Sequence, residues 1–407
     1  MPSSVPAGSP DGCAKSHMRR HVDACARGGR PAVGAARAQT GLTARGTWAK
    51  VERPMRRPST VLVACLAAAC GRPSLEARFE VQVLARSLEV PWEIRTLPGG
   101  DLLVTERRGR LLRIDAAGTV TELAELPEVV AQGESGLMGM ALHPRWPEVP
   151  YLYLCFTYAA PLVMNRVDRF EFDGLSLGPS TPILEGMRGA NIHDGCRLGF
   201  GPDGLLYVTM GDAADESLAQ DPASLNGKVL RVRDDGSLPE GQDSPVFTLG
   251  HRNPQGLDFH PETGAPFVTE HGPATDDEIN RLREGGNYGW PLVGGAPGDP
   301  RFVDAVYAWT PTIAPAGGAF YTSDAVPRLE GAFLLVTLKE KDLRVLLPAA
   351  EGFTAVREEQ ILFDGAFGRL RAIRPLPDGR ILLSTSNRDG RGTPEPDDDR
   401  ILLLTPR

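Results

Sequence analysis

The chain has 407 residues, 41% of them hydrophobic, with 46 Gly and 36 Pro. That frequency of turn formers suits many short strands and argues against long helices. Its net charge of −8 is unevenly spread. The first 70 residues hold eleven Lys/Arg against three Asp/Glu, so the remainder carries 33 against 49. A body with a net charge of −16 repels nucleic acid and anionic lipid.

Met55–Thr60 is a positive segment, followed by a short apolar run from Val61 to Ala69. That run is too short to span a bilayer and reads as a secretion signal over 55–70. Ala67-Ala68-Ala69-Cys70 resembles a lipobox, which would make Cys70 the lipidated first residue of an exported protein, periplasmic or membrane-anchored. Ala67 stands where Leu is usual, so plain cleavage near Ala69 is the alternative. Residues 1–54 read as an over-extended start or disordered leader. With Cys70 lipidated, only Cys155 and Cys196 remain in the body, and the expectation is a fold without a disulfide framework that stands on its core.

From about residue 79 a pattern repeats: an apolar residue, a Pro/Gly corner, then a β-rich run. The corner prolines are Pro98, Pro144, Pro202, Pro261 and Pro377, spaced by 46, 58, 59 and 116 residues. The last step spans two units, with the missing one around Gly331–Val336. Six strand–turn–strand units over 79–407 predict an all-β, six-bladed β-propeller. The corners are structural. Chemistry is expected instead in small groups scattered over several units, on loops at one end of a central channel.

Those groups are present. Gly133-Glu134-Ser135-Gly136-Leu137 comes first. Asn191–Leu198 follows, with His193, and Gly211-Asp212 closes the next strand. The densest stretch is Leu249–Pro291. His251, Arg252, Asn253 and Gln255 cluster around Pro254, and such a set can hold a planar ligand rich in carboxylates and carbonyls. Gly272-Pro273 then leaves loose carbonyls beside Asp276, Asp277 and Glu278, an arrangement a hard cation such as Ca²⁺ favours. Lys339 and the pair Arg369 and Arg371 complete the set, the two arginines on one side of a strand by alternation. Taken singly, each has a plain alternative: a solvated loop, a structural histidine, a surface lysine, an exposed Arg-x-Arg.

Taken in order, LGHRNPQG (249–256), TEHGPATDDEIN (269–280), GNYGWP (286–291) and the His193 segment resemble the pyrroloquinoline quinone (PQQ)-dependent soluble sugar dehydrogenases, the glucose/sorbosone and aldose sugar dehydrogenases. The resemblance runs from about Phe79 to Arg407 and implies six blades. It implies oxidation of an aldose to its lactone by hydride transfer to PQQ, with Ca²⁺ and an electron acceptor. By that resemblance His193 is the general base, Asp212 orients it, and Arg252 stabilises charge developing on the quinone. Lys339, Arg369 and Arg371 would hold cofactor carboxylates, Asn253 and Gln255 would line the cofactor, and the Gly272 and Pro273 carbonyls would take Ca²⁺. Two positions depart from the pattern: Glu134 stands where Gln often contacts the quinone, and Ala372 stands where the family has Asp. Two other readings remain, a non-catalytic ligand-binding propeller and a Ca²⁺-dependent lactonase-type hydrolase. The lactonase would need carboxylates at the channel centre, where this chain offers arginines.

The export expectation is testable directly. Processing should be globomycin-sensitive, and membrane-fraction recovery should be lost in Cys70→Ala. Unchanged membrane recovery would exclude a lipid anchor at Cys70.

Overall fold

The computed structural model describes residues 74–407, so the leader, the signal segment and Cys70 lie outside the described residues. Twenty-four strands form six four-stranded antiparallel sheets. Five sheets are simple meanders: 91–125, 137–188, 198–249, 254–309 and 315–362. The sixth takes three strands from 370–406 and its outermost from Phe79–Ala85, which pairs antiparallel with Ile401–Pro406. The innermost strands pack against one another in sequence, and the ring closes between the sixth and the first. This is the expected six-bladed propeller. Sequence reading did not foresee that the first strand of the body completes the last blade.

Burial follows distance from the channel. The second strands of five blades, such as Leu206–Met210 and Phe333–Thr337, are buried at every position, whereas the outer strand Val120–Glu125 is mostly exposed. A blade's inner strands are covered by neighbouring blades on both faces. They therefore read as continuous apolar runs, and polar alternation survives only toward the rim. Between the fourth and fifth blades Phe267, Phe320, Phe333 and Phe353 pack edge to face.

All five corner prolines fall between the first and second strands of their sheets, and Phe333–Thr337 supplies the second strand of the fifth unit. In an antiparallel meander this puts every corner at one end of the ring. Segments leading into the inner strands, and turns from second to third strands, gather at the other end.

The body does contain a disulfide, contrary to the expectation: Cys155 bonds Cys196, with Cα atoms 5.8 Å apart. Cys155 lies on the second strand of the second blade, Cys196 on the segment leading into the third. They are 41 residues apart in sequence and become neighbours only when two blades pack. Cross-linking a loop of that length is worth about 3–4 kcal/mol. The double variant Cys155→Ser/Cys196→Ser should lose about that much unfolding free energy in a denaturant titration, and the unreduced wild-type protein should show no reactive thiol from this pair.

Candidate functional site

The His193 segment is built from an unusual backbone. His193, Gly195 and Cys196 all have positive φ, at 65°, 63° and 71°. Gly211 permits the close approach behind them, since a Cβ there would lie 1.9 Å from the His193 carbonyl oxygen. The loop is then pinned from other blades. Asn253 Oδ1 accepts from the Gly195 amide (3.2 Å), Glu134 Oε2 accepts from the His193 amide (3.0 Å), and the disulfide holds Cys196. Beside it Asp194 is buried, accepting from Asn165 Nδ2 and the Ala190 amide, while its Oδ2 has no partner. Burial pushes its carboxyl up to about 7.

His193 Nδ1 lies 2.7 Å from Asp212 Oδ1. Asp212 is almost fully buried. Its Oδ1 also accepts from the Ala214 amide (2.8 Å) and its Oδ2 from Trp290 Nε1 (2.9 Å). A carboxylate can only accept, so the proton sits on His193 Nδ1 and the Nε2 lone pair is left open. Among the described residues nothing bonds Nε2.

Arg252 is tied to the same group, its carbonyl accepting from the Asp212 amide (2.8 Å) and its guanidinium 5.3 Å from the Trp290 ring. Its Nη1 donates to the carbonyls of Gly272 (2.8 Å) and His271 (3.2 Å), and its buried Nε has no partner. Gly272, Pro273, Arg252 and Trp290 line a cavity of about 200 Å³. Of the acidic run, Asp276 and Glu278 line the same cavity as those carbonyls, together with Glu270, whereas Asp277 is turned to the backbone. Both Asp277 oxygens accept backbone amides, from Gly272 (2.7 Å), Ile313 and Ala314 (both 2.6 Å), and Glu278 bonds Asn280 (2.9 Å). Burial, with Glu270 close by, pushes Glu278 up to about 8.

His251 is no ligand holder. It is fully buried, held between Glu270 (2.7 Å) and Thr248 (2.8 Å) and stacked on Tyr288. A histidine beside an arginine in a turn gave no sign of which one faces inward.

A second cavity, about 340 Å³, is lined by Arg107, Gly133, Glu134, Arg371, Asp389, Gly390 and Arg391. A bulge at Arg371 interrupts strand alternation, yet Arg369 (2.8 Å) and Arg371 (3.4 Å) converge on Asp389. The carboxylate beside these arginines thus comes from Asp389, while Ala372 is packed in the core. Arg371 also bonds Ser386 (2.9 Å) and Gln255 Oε1 (3.4 Å). Burial pushes its guanidinium down to about 10, so it stays charged at neutral pH. Asn253 is fully buried, between the Gly195 amide and Glu134. Lys339 is exposed and donates to Thr312 O (2.6 Å), outside the lining of this cavity. Sequence reading missed Arg107, Asp389, Arg391 and Trp290. Trp290 lies inside the GNYGWP motif, whereas Asp389-Gly390-Arg391-Gly392 reads only as a turn.

The profile of the glucose/sorbosone dehydrogenase family matches residues 88–402. The chain belongs to that family. The PQQ-bound aldose sugar dehydrogenase of Streptomyces coelicolor is 38% identical, with a TM-score of 0.73 over 81% of this chain and 98% of that one. Aldose sugar dehydrogenase YliI of Escherichia coli is 29% identical over 83% of this chain and 98% of its own length. Quinoprotein glucose dehydrogenase B of Acinetobacter calcoaceticus is 34% identical, the match spanning 56% of each chain.

Asp212→Asn tests the histidine geometry. An amide oxygen turned to His193 sets the amide NH₂ against the Trp290 N–H. The flipped amide forces the wrong tautomer on His193. Turnover with an aldose should fall about 10²–10⁴-fold either way, with a lowered thermal midpoint from the buried donor left opposed.

Proposed function

We propose that this protein is a quinoprotein aldose dehydrogenase that oxidises the C1 hydroxyl of a sugar to the lactone, with PQQ and Ca²⁺. The observation that carries the reading is the open His193 Nε2, fixed by Asp212, on a loop bonded to Glu134 of a guanidinium-lined cavity in an otherwise acidic body. The residues suit an anionic planar cofactor: Arg107, Arg369, Arg371 and Arg391 outnumber Glu134 and Asp389, and Arg252 keeps an unpartnered buried Nε. When bound, PQQ supplies an ortho-quinone that accepts hydride and carboxylates for arginines to grip.

His193 Nε2 takes the hydroxyl proton of the sugar while the hydride leaves C1, so of the two protons lost one goes to His193 and the other departs with both electrons as hydride. Asp212 holds the Nδ1 proton and stabilises the imidazolium that results. Arg252, positioned by Trp290 and Asp212, offsets negative charge that develops as hydride departs. Arg369 and Arg371 hold carboxylates, and Lys339 would have to turn from Thr312 to join them. The Gly272 and Pro273 carbonyls are the proposed Ca²⁺ ligands, in place of the Arg252 contact at Gly272. Glu270, Asp276 and Glu278 line the same cavity, so carboxylates of the chain as well as the anionic cofactor can offset the charge of the ion. An exported location is part of the proposal, and a disulfide suits an oxidising compartment. Reoxidation then falls to an electron acceptor in that compartment, for which an artificial dye can substitute.

Apoprotein titrated with PQQ and Ca²⁺ should develop bound-quinone absorbance and dye-linked aldose oxidation, both lost on chelation. His193→Gln should bind PQQ nearly as tightly, since a neutral ring adds little to holding an anion, yet turn over about 10²–10⁴-fold more slowly. Normal turnover in that variant would sink the mechanism.

A further inference from the structure

Glu134 is the part of this site that the mechanism leaves unused. A carboxylate lining a cavity meant for an anionic cofactor should weaken binding. Burial alone would raise its pKa, but His271, the His193 amide and Arg391 hold it below the usual range.

The contacts divide the carboxylate in two. Oε2 accepts from the His193 amide (3.0 Å) and from Asn253 Nδ2 (3.3 Å). Oε1 accepts from Arg391 Nη1 (2.7 Å), 257 residues away on the loop after the second strand of the sixth blade. The bridge passes over the first blade, whose Arg107 donates to the Gly133 carbonyl and lines the same cavity. Arg391 is more than half exposed, at 55%, and exposed ion pairs add little stability. Among the described residues its guanidinium makes no other hydrogen bond, so its remaining N–H groups are unpartnered on a side chain that lines the cavity.

We propose that Arg391 and Glu134 act as one neutral unit of the cofactor site. Arg391 cancels the carboxylate and presents its open N–H edge to a carboxylate of the bound quinone. The proposal rests on the PQQ reading above and adds Arg391 to the residues that grip the cofactor.

PQQ affinity of the apoprotein, measured by absorbance titration at saturating Ca²⁺, separates the possibilities without recourse to activity. Arg391→Ala should bind PQQ about 10–100-fold more weakly, a loss of one or two charge-assisted contacts. Glu134→Gln alone should bind at least as tightly as wild type, because Arg391 is then uncompensated. The double variant should recover the share of the loss that comes from the uncompensated Glu134 carboxylate, and Arg391→Lys should fall between wild type and Arg391→Ala. Arg391→Ala binding within about threefold of wild type would reduce the contact to a rim ion pair. A double variant no better than Arg391→Ala would show that Arg391 acts alone. Either result overturns the coupled unit. If Arg391→Ala does not fold, the near-isosteric Glu134→Gln decides: weaker binding overturns the proposal, tighter binding supports it. Failure of wild type itself to bind PQQ would instead remove the functional reading, and the proposal with it.

Discussion

His193 and Cys196 both occupy the left-handed region of the backbone, at φ 65° and 71°, where a side chain costs about 1–3 kcal/mol. A loop cannot hold two such residues three apart unless its surroundings over-determine it. Here they do. The Asn253 side chain comes from the segment leading into the fourth blade, Glu134 from the segment leading into the second, and Cys155 from a strand within the second. Gly211 clears the space in which the His193 carbonyl rests. The candidate base is thus set by contacts that exist only once three blades are assembled.

Charge is organised around the same point. The body is acidic, yet arginines of the first and sixth blades line one cavity and Arg252 of the fourth lines another. Asp389 faces both Arg369 and Arg371, so the buried pair shares a single counter-charge. An excess of guanidinium costs stability in the absence of a ligand and lowers the cost of taking in an anion. The site is built for binding before it is built for stability, which is a common trade at functional sites.

The antiparallel meander explains why these side chains meet. Five Pro/Gly corners occupy one end of the ring, and the segments that precede inner strands occupy the other. Residues as distant as Glu134 and Arg391 then face one cavity. Closure depends on Phe79–Ala85 pairing with Ile401–Pro406, so the first and last strands of the body jointly fix the frame on which the mouth is measured.

The sequence by itself determined the blade count, because corner spacing is local and each Pro/Gly turn is encoded by its own residues. It also carried His193, Asp212 and Arg252 inside ordered motifs, and through them the family. Tertiary structure alone decided the rest, since contacts across blades leave no spacing to read. The Cys155–Cys196 bond, the inward burial of His251 and the commitment of Asp277 to backbone amides all depend on which strands become neighbours. The meeting of Arg391 with Glu134 is the extreme case. It joins a plain turn near the end of the chain to a motif near its start, and only closing the ring puts a cation beside that carboxylate.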